Sequence, residues 1–326
     1  MVGVTPSLDP RDPLGFSIDC PHHAVFHPLG YPVSIAATTP EVLGAAEESW
    51  GAFAPRRRTA DHDLRVRVIV AGGPPFDADL AFHAQQHLFT AVAGPANLAI
   101  CDFRQGAAFC WVTTGTVADR PSFRYHFLET VVYTLLTDAF LAPVHASCVS
   151  RNGRGVLFCG ESGAGKSTLA FACGRSGWEF VSDDAVFLVR DEADRIVLGR
   201  PHQVRLHPSA TALFPDLAGR LPRQRPNGKM TIEVATAEFP GIGIATECAV
   251  DYVLFLDRRE AAEPALLPMA AAEALVLLEQ GLAPFGEAWP AHRARSLRRL
   301  LSVPAYRFRY GSLDGALAGL ERLLAR

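Results

Sequence analysis

A glycine-rich stretch near the middle of the chain has the residue types and spacing of a phosphate-binding loop. It reads GESGAGKS, residues 160–167, with the apolar run VLFC before it and the helix-like run KSTLAFAC overlapping its end. Glycines let the backbone bend so that several N–H groups converge on phosphate oxygens, and a following helix adds the positive end of its dipole. We therefore predict ATP binding by Gly160, Glu161, Ser162, Gly163, Ala164, Gly165, Lys166, Ser167 and Thr168.

Three side chains of this loop could take part in chemistry. Lys166 is expected to contact the β- and γ-phosphates, and Ser167 is expected to bind the Mg²⁺ that bridges them. Glu161 is an acid close to the phosphates, where it would cost free energy unless it meets a metal or a donor. The simpler interpretation of Glu161 is a plain surface residue.

An acidic pair, Asp183 and Asp184, follows the loop. Side chains of a regular strand alternate between its two faces, so both acids can face the phosphates only if the strand starts or bulges near residue 183. If both are used, one would hold the metal and the other would take a proton from an attacking hydroxyl. The alternative is one metal-binding acid beside one surface or capping acid.

A histidine and a basic segment are further candidates. His145 precedes a strand pair, and on its own such a histidine is more often a packed core residue than a catalytic group. The segment GRLPRQRPNGKMTIE, residues 219–233, could fold over ATP and bring a cation to the transferring phosphoryl group, although a solvated loop is the default. We favour Lys229 within it because it directly precedes a strand. Arg205 is a second candidate and equally a surface arginine on a strand.

The elements that must position these residues are those of an α/β protein. VHASCVS and RGVLFCG are apolar runs joined through Asn152-Gly153, which is the strongest short hairpin signal. The strand that enters the loop is therefore predicted to pair antiparallel with its predecessor, which gives a mixed sheet. The later runs predicted as strands are AVFLVR, RIVLG after the turn DEAD, KMTIEVA, DYVLFLDR and YRFRYG. Those predicted as helices are PALLPMAAAEALVLLEQGL, HRARSLRRLLSV and LDGALAGLERLLAR.

The beginning of the chain is predicted to form a separate, smaller α/β lobe over residues 1–125, with the loop domain over 126–326. A loose, proline-rich arm over residues 1–15 starts this lobe. The runs predicted next are two strands in HHAVFHPLGYPVSIAAT, a helix capped by Thr39, the strand LRVRVIVAG and the strand pair PANLAICDF and GAAFCWVTT. A buried helix over residues 123–141 is expected to lead into the second domain. The lobe carries no recognisable chemistry.

Composition excludes several classes of protein. The 326 residues are 49% apolar and 20% charged, which is normal for a chain with a real core. A formal charge of -3 argues against a nucleic-acid binder, and no run approaches the length of a membrane helix. The N-terminus lacks the apolar core of a signal peptide. Seven scattered cysteines without a CxxC pattern indicate reduced thiols, a cytoplasmic location and no protein metal cage.

The order of these motifs resembles the catalytic domain of bacterial HPr kinase/phosphorylase: a histidine, a strand hairpin, G-x-S-G-x-G-K-S, a helix and an Asp-Asp pair. The resemblance covers about residues 140–260 and implies a P-loop kinase fold akin to that of phosphoenolpyruvate carboxykinase. It implies that residues 160–168 bind ATP and that His145 and Glu161 line the phosphate site. It further implies that Asp183 is the base and Asp184 the metal contact.

One motif departs from the family pattern. The family has a later signature of the form E-x-R-G-x-G, whereas this chain has EFPGIG at residues 238–243, with Pro240 in place of the arginine. Proline supplies neither a charge nor a backbone donor, so the phosphorolytic reaction of the family is in doubt for this chain.

The motifs together predict a kinase that uses ATP and Mg²⁺. It would transfer the γ-phosphate to a hydroxyl, foremost that of Ser or Thr in a protein or peptide acceptor, with Asp183, His145, Lys166 and Lys229 as catalytic residues and Ser167 and Asp184 at the metal. HPr-kinase-like proteins accompany some peptide-modification pathways, and HPr kinases assemble as rings, so a homo-oligomer is also expected. A small-molecule or carboxykinase-like enzyme and an ATP sensor without transfer activity stay open as alternatives.

Overall fold

A computed structural model describes residues 17–59, 63–190, 194–225, 228–280 and 291–325. The described chain divides into two compact units, and the division falls between Ala139 and Phe140. It lies C-terminal to the boundary predicted after residue 125, because the helix before Ala139 packs with the first unit. The predicted arm over residues 1–15 lies outside the described residues.

The first unit contains a sheet of seven strands. The strands are β1 (His22–Phe26), β2 (Val33–Ala37), β3 (Leu64–Ala71), β4 (Ala81–Gln85), β5 (Leu88–Val92), β6 (Leu98–Asp102) and β7 (Ala107–Thr113). Their order is β1-β2-β3-β7-β6-β5-β4, with β3 parallel to both β2 and β7 and every other pair antiparallel. The hairpin β4–β5 was not predicted, because every residue of β4 is exposed and its sequence has no apolar alternation.

The described residues of this unit also form four α-helices: α1 (Pro40–Trp50), α2 (Thr114–Ala118), α3 (Arg120–Phe123) and α4 (Glu129–Ala139). Helix α1 starts directly after Thr39 as predicted, but the Thr39 side chain makes no capping hydrogen bond. The helix buries Val42 and Trp50. The helix predicted over residues 123–141 is interrupted by a π-helical turn between α3 and α4. There the Thr130 hydroxyl donates to the Tyr125 carbonyl at 2.8 Å, five residues back along the chain.

The second unit contains a mixed sheet of ten strands and a small sheet of three. The strands are β8 (Leu141–Val144), β9 (Ser147–Arg151), β10 (Arg154–Cys159), β11 (Glu179–Ser182), β12 (Val186–Val189), β13 (Ile196–Leu198), β14 (Gln203–Leu206), β15 (Arg223–Gln224), β16 (Met230–Ala235), β17 (Gly243–Ile244), β18 (Glu247–Arg258), β19 (Ala265–Met269) and β20 (Ala305–Tyr310). The large sheet runs β17-β11-β9-β10-β18-β13-β12-β8, and β20 joins β18 to β19. The small sheet runs β14-β16-β15.

The helices of the second unit are α5 (Lys166–Arg175), α6 (Ala271–Gln280), α7 (Ala291–Leu300) and α8 (Leu313–Leu324). The prediction of a helix starting at Pro264 was wrong for its first residues, because residues 265–269 form strand β19. These residues pair with β20, and the tertiary pairing overrides the local helical pattern. Of the predicted turn DEAD, residues 191–193 lie outside the described residues. Within the described ranges, the longest apolar helices are too short to span a membrane.

Strand β10 is buried on both faces and leads to the loop. Val156 and Phe158 pack in one core with Phe171 of α5. Leu157 and Cys159 pack in a second core with Leu297 of α7. This alternation is that of a central strand covered by helices on both sides, and each large apolar side chain buried there contributes roughly 1.5–3 kcal/mol.

The predicted hairpin between β9 and β10 is confirmed. The two strands are antiparallel, and the turn residues Asn152 and Gly153 have φ of 53° and 77°. Because β10 is also parallel to β18, the sheet is mixed as predicted. The hairpin thus fixes β10, and the loop at its end, between two neighbouring strands.

Candidate functional site

Three segments with candidate residues lie at the same edge of the large sheet. Strands β10 and β11 each pair antiparallel with β9, so their ends lie at the edge where β9 begins. Gly160 follows the end of β10, Asp183 follows the end of β11, and His145 lies just before β9. The sheet topology therefore brings the loop, the acidic pair and the histidine together.

The glycine-rich loop has the backbone that its sequence predicts. Gly160, Gly163 and Gly165 have φ of 143°, 87° and 94°, a region that favours glycine. A Cβ on Gly160 would lie 3.1 Å from the Ala164 Cβ, and one on Gly165 would lie 3.2 Å from the Tyr310 hydroxyl. Helix α5 starts directly after Gly165, so its N-terminal end faces the loop.

Lys166 is held inside this loop. The residue is only 7% exposed, and its Nζ donates to the Gly160 carbonyl at 2.7 Å and to the Glu161 carbonyl at 3.0 Å. Burial lowers the pKa of Lys166, and the nearby Asp184 carboxylate opposes that shift. The ammonium is thus drawn into the loop by carbonyl oxygens, whereas the Glu161 residue itself is exposed.

The basic segment reaches the loop as a hairpin, β15–β16. The Arg225 N–H donates to the Lys229 carbonyl at 2.9 Å, and the Gly228 N–H donates to the Arg225 carbonyl at 2.8 Å. Lys229 Nζ donates to Ser162 Oγ at 3.1 Å, and an Arg225 guanidinium nitrogen lies 3.9 Å from Asp184 Oδ2. The structure therefore brings the predicted Lys229 to the loop.

The two acids of the pair lie in different surroundings. They form a bend between β11 and β12, preceded by a register shift after Phe180, which is the irregularity that a paired role requires. Asp183 is 3% exposed, and its Oδ2 accepts a hydrogen bond of 2.7 Å from the Arg205 backbone N–H. The Asp184 side chain is 40% exposed, and its Oδ1 lies 3.5 Å from His145 Nδ1.

Burial and neighbouring charges shift the pKa values of these groups in opposite directions. Burial raises the pKa of Asp183, and Arg205 only partly counters it. Burial also acts to raise the pKa of Asp184, but His145 and several arginines outweigh it and keep that pKa below its usual value. Burial and the Lys166 charge lower the pKa of His145. At neutral pH Asp184 is therefore a carboxylate. His145 is then mostly uncharged, so the arginines, rather than His145, supply the positive charge beside Asp184 at that pH.

Strand register explains why His145 lies close to the acidic pair. Val144 of β8 pairs with Val186 of β12, and Cys148 of β9 pairs with Ser182 of β11. The same number of residues separates the two pairs on each segment, so the crossing segments 145–147 and 183–185 face each other. In this antiparallel register His145 falls opposite Ala185 and Ser147 opposite Asp183. His145 is thus one residue along from Asp184 and reaches its carboxylate diagonally.

Two polar residues of this region, Ser147 and Arg225, were not singled out from the sequence. Ser147 is completely buried, and its hydroxyl donates to the Asp183 carbonyl oxygen. Ser167 Oγ donates to the same oxygen at 3.1 Å. A serine in the apolar run VHASCVS was the only available signal for Ser147, and Arg225 was one basic residue among several.

Arg205 and Glu238 form polar contacts with residues other than the phosphate loop and Asp184. The Arg205 guanidinium pairs with Glu233 at 3.2 Å and with Gln203 at 3.0 Å, and its side chain is 18% exposed. Glu238 of the motif EFPGIG accepts from Arg220 at 2.7 Å and from the Ala235 N–H at 2.9 Å. This glutamate therefore stabilises a local turn.

The fold and the loop define the class as a mixed α/β protein with a strand–loop–helix motif of the phosphate-binding type. Residues 139–207 match the family model of the HPr Serine kinase C-terminal domain. The resemblance read from the sequence is thereby confirmed for a segment that contains His145, the loop and the acidic pair. Lys229 lies beyond its end.

Two individual proteins are similar over part of the chain. An HPr kinase/phosphorylase of Halalkalibacterium halodurans is 35% identical over 91 residues, which are 26% of this chain and 29% of that protein. The chain thus matches less than a third of that relative's length. The structure of the Hpr(Ser) kinase/phosphatase from Coxiella burnetii superposes with a TM-score of 0.31 and 14% identity, covering 56% of this chain and 97% of that one.

Proposed function

We propose that this protein is an ATP-dependent kinase that transfers the γ-phosphate to the hydroxyl of a Ser or Thr in a protein or peptide. One observation carries the proposal: the partly exposed Asp184 carboxylate lies with His145 and Arg225 beside a phosphate loop that Lys229 also contacts. Phosphoryl transfer needs cations around the phosphate oxygens and a proton acceptor beside the incoming hydroxyl. Both kinds of group are present here.

The loop would hold the phosphates. Its backbone N–H groups and the N-terminal end of α5 would bind their oxygens, and Lys166 would exchange the Gly160 and Glu161 carbonyls for phosphate oxygens. Lys229 is exposed and donates to Ser162 of the phosphate loop. From this position its ammonium could contact the transferring phosphoryl group. Each of these contacts adds positive charge where negative charge develops.

The residues present also suit a magnesium ion. Ser167 and Asp184 offer a hydroxyl and a carboxylate, which are the oxygen ligands that Mg²⁺ prefers. Asp184 lies in the bend that follows β11, and Ser167, at the start of α5, contacts that bend through the Asp183 carbonyl. When bound, Mg²⁺ would neutralise charge on the phosphate oxygens.

We assign proton acceptance to Asp184, which reverses the assignment made from the sequence. A base must be within reach of the hydroxyl that it deprotonates. Asp184 is accessible from solvent, whereas Asp183 is buried and engaged by the Arg205 N–H. Neighbouring positive groups keep Asp184 ionised, and His145 beside it would orient the carboxylate. The metal role predicted for Asp184 is compatible with this one, because a carboxylate has two oxygen atoms.

The acceptor class rests on the family match. The matched family and the two similar proteins are named for action on HPr or on a serine of it. Since the matched segment covers only part of the chain, we propose a protein or peptide hydroxyl and test HPr as one member of that class.

The test is transfer of label from γ-labelled ATP, with Mg²⁺, to purified HPr and to a pool of Ser- and Thr-containing peptides. We expect transfer by the unaltered protein and a loss of about 10²–10⁴-fold in Asp184→Asn. Asp183→Asn should retain most activity, since an amide oxygen can still accept from the Arg205 N–H. ATP binding is measured in parallel for both variants.

Three results would count against the proposal. ATP binding without transfer to any acceptor would leave a nucleotide binder. Full activity of Asp184→Asn would remove the proposed base. Loss of transfer in Asp183→Asn alone, with ATP binding intact, would return the proton-accepting role to Asp183.

A further inference from the structure

The bend that carries the acidic pair is fixed mainly through the backbone of Asp183. Strand β11 pairs with β9, whereas β12 pairs with β8 and β13, so the chain changes partners within residues 183–185. The Ser182 hydroxyl donates to the Ala185 carbonyl at 2.6 Å and closes this bend. The orientation of Asp184 therefore depends on what holds the peptide unit between Asp183 and Asp184.

Two hydroxyls hold that peptide unit. Ser147, at the start of β9, and Ser167, at the start of α5, both donate to the Asp183 carbonyl oxygen. On its other side Asp183 is held through its carboxylate by the Arg205 N–H of β14. The Ser147 residue is 0% exposed, so water cannot readily take its place as a donor.

We propose that Ser147 is a positioning residue, which fixes the Asp183 carbonyl and thereby holds the Asp184 carboxylate in register with the phosphate loop. Ser167 donates to the same oxygen, but its hydroxyl oxygen is also the proposed ligand of Mg²⁺, so its position would follow the ion as well as the bend. The same strand start brings His145 to Asp184, so β9 sets both the histidine and the backbone of the acid. This inference rests on the proposed kinase function.

Strand β9 also provides a matched control. Ser150 is 1% exposed, and its hydroxyl donates to Glu179 Oε2 at 2.7 Å, toward the end of the strand away from His145. Ser147→Ala and Ser150→Ala each remove one hydrogen bond that a buried serine of the same strand donates. Only Ser147→Ala releases the bend next to Asp184.

The experiment compares kcat, KM for ATP and urea unfolding in both variants. We expect Ser147→Ala to lose roughly 10- to 100-fold in kcat with KM for ATP within about twofold of the unaltered protein, because small misplacement of a catalytic group has that effect. Ser150→Ala should be destabilised similarly but keep its kcat. Ser147→Thr should recover most of the lost kcat. Ser147→Cys, whose thiol is a weaker donor of similar size, should lie between Ala and Ser if Thr does not fold.

A binding measurement separates this inference from the kinase proposal. Calorimetry gives the Kd of ATP with and without Mg²⁺, and Ser147→Ala should lose part of the Mg²⁺-dependent gain through displacement of Asp184. If the unaltered protein binds ATP but transfers no phosphate, the kinase proposal fails and this Mg²⁺ dependence alone decides the role of Ser147. An unchanged kcat and Mg²⁺ dependence in Ser147→Ala, or an equal loss in Ser150→Ala, would overturn the inference.

Discussion

Replacing Lys166 with methionine tests the phosphate loop most directly. Methionine is an unbranched side chain that carries no charge, and Lys166 is nearly buried with hydrogen bonds to the Gly160 and Glu161 carbonyls. In the nucleotide complex the ammonium would make charged hydrogen bonds to phosphate oxygens, each contributing about 1.5–3 kcal/mol. Losing one or two of these bonds weakens ATP binding by roughly 10- to 10⁴-fold, with about 100-fold as the central expectation.

The same change should affect stability much less. The two bonds to loop carbonyls are lost, but so is the cost of burying a charge, which is the cost that lowers the pKa of Lys166. We therefore expect the free energy of unfolding without nucleotide to change by less than about 1 kcal/mol. The contrast between a large loss of affinity and a small change in stability is specific to a phosphate-binding role.

The assay combines calorimetric titration with ATP and urea unfolding of the protein without nucleotide. Arg175→Met is the matched control, because Arg175 is a cation at the other end of α5 and pairs with Asp216. Its removal should leave ATP affinity unchanged. If folded Lys166→Met binds ATP within about twofold of the unaltered protein, the loop does not work as we describe.

Two further predictions concern elements that support the site. Gly153→Ala should lower the free energy of unfolding by about 1–2 kcal/mol, because Gly153 has φ of 77°. An added Cβ would meet no neighbouring atom, so the whole cost comes from the backbone conformation. Unchanged urea unfolding would contradict this prediction. Burial raises the pKa of Tyr310 to about 12 in the folded protein, above about 10 for an unfolded chain. Its contribution to stability is therefore complete below pH 10 and is lost as the pH rises toward 12, by about 1.4 kcal/mol at pH 11. Tyr310→Phe should remove that part of the alkaline loss in urea unfolding at pH 9 and pH 11, and an unaltered pH dependence would show that Tyr310 is not the group responsible.

Local sequence determined the features that need only neighbouring residues. Asn152 and Gly153 tolerate positive φ, so the hairpin into β10 was predictable. The glycines of the loop likewise encode their own backbone, and the position of Lys166 after them marks the start of α5. In each case the conformational preference of the residue and the observed structure agree without help from distant contacts.

Tertiary structure alone decided how the acidic pair is divided. Asp183 and Asp184 are identical in side chain and adjacent in sequence, yet one accepts from the Arg205 N–H of β14 and the other faces His145. The contact of Ser147 with the Asp183 carbonyl depends on the pairing of β9 with β11, which the sequence around Ser147 does not specify. Residues 265–269 have a helical pattern and form a strand because β20 is beside them. Burial and cross-strand contacts depend on which segments pair and pack against each other, and a local sequence pattern does not specify these partners.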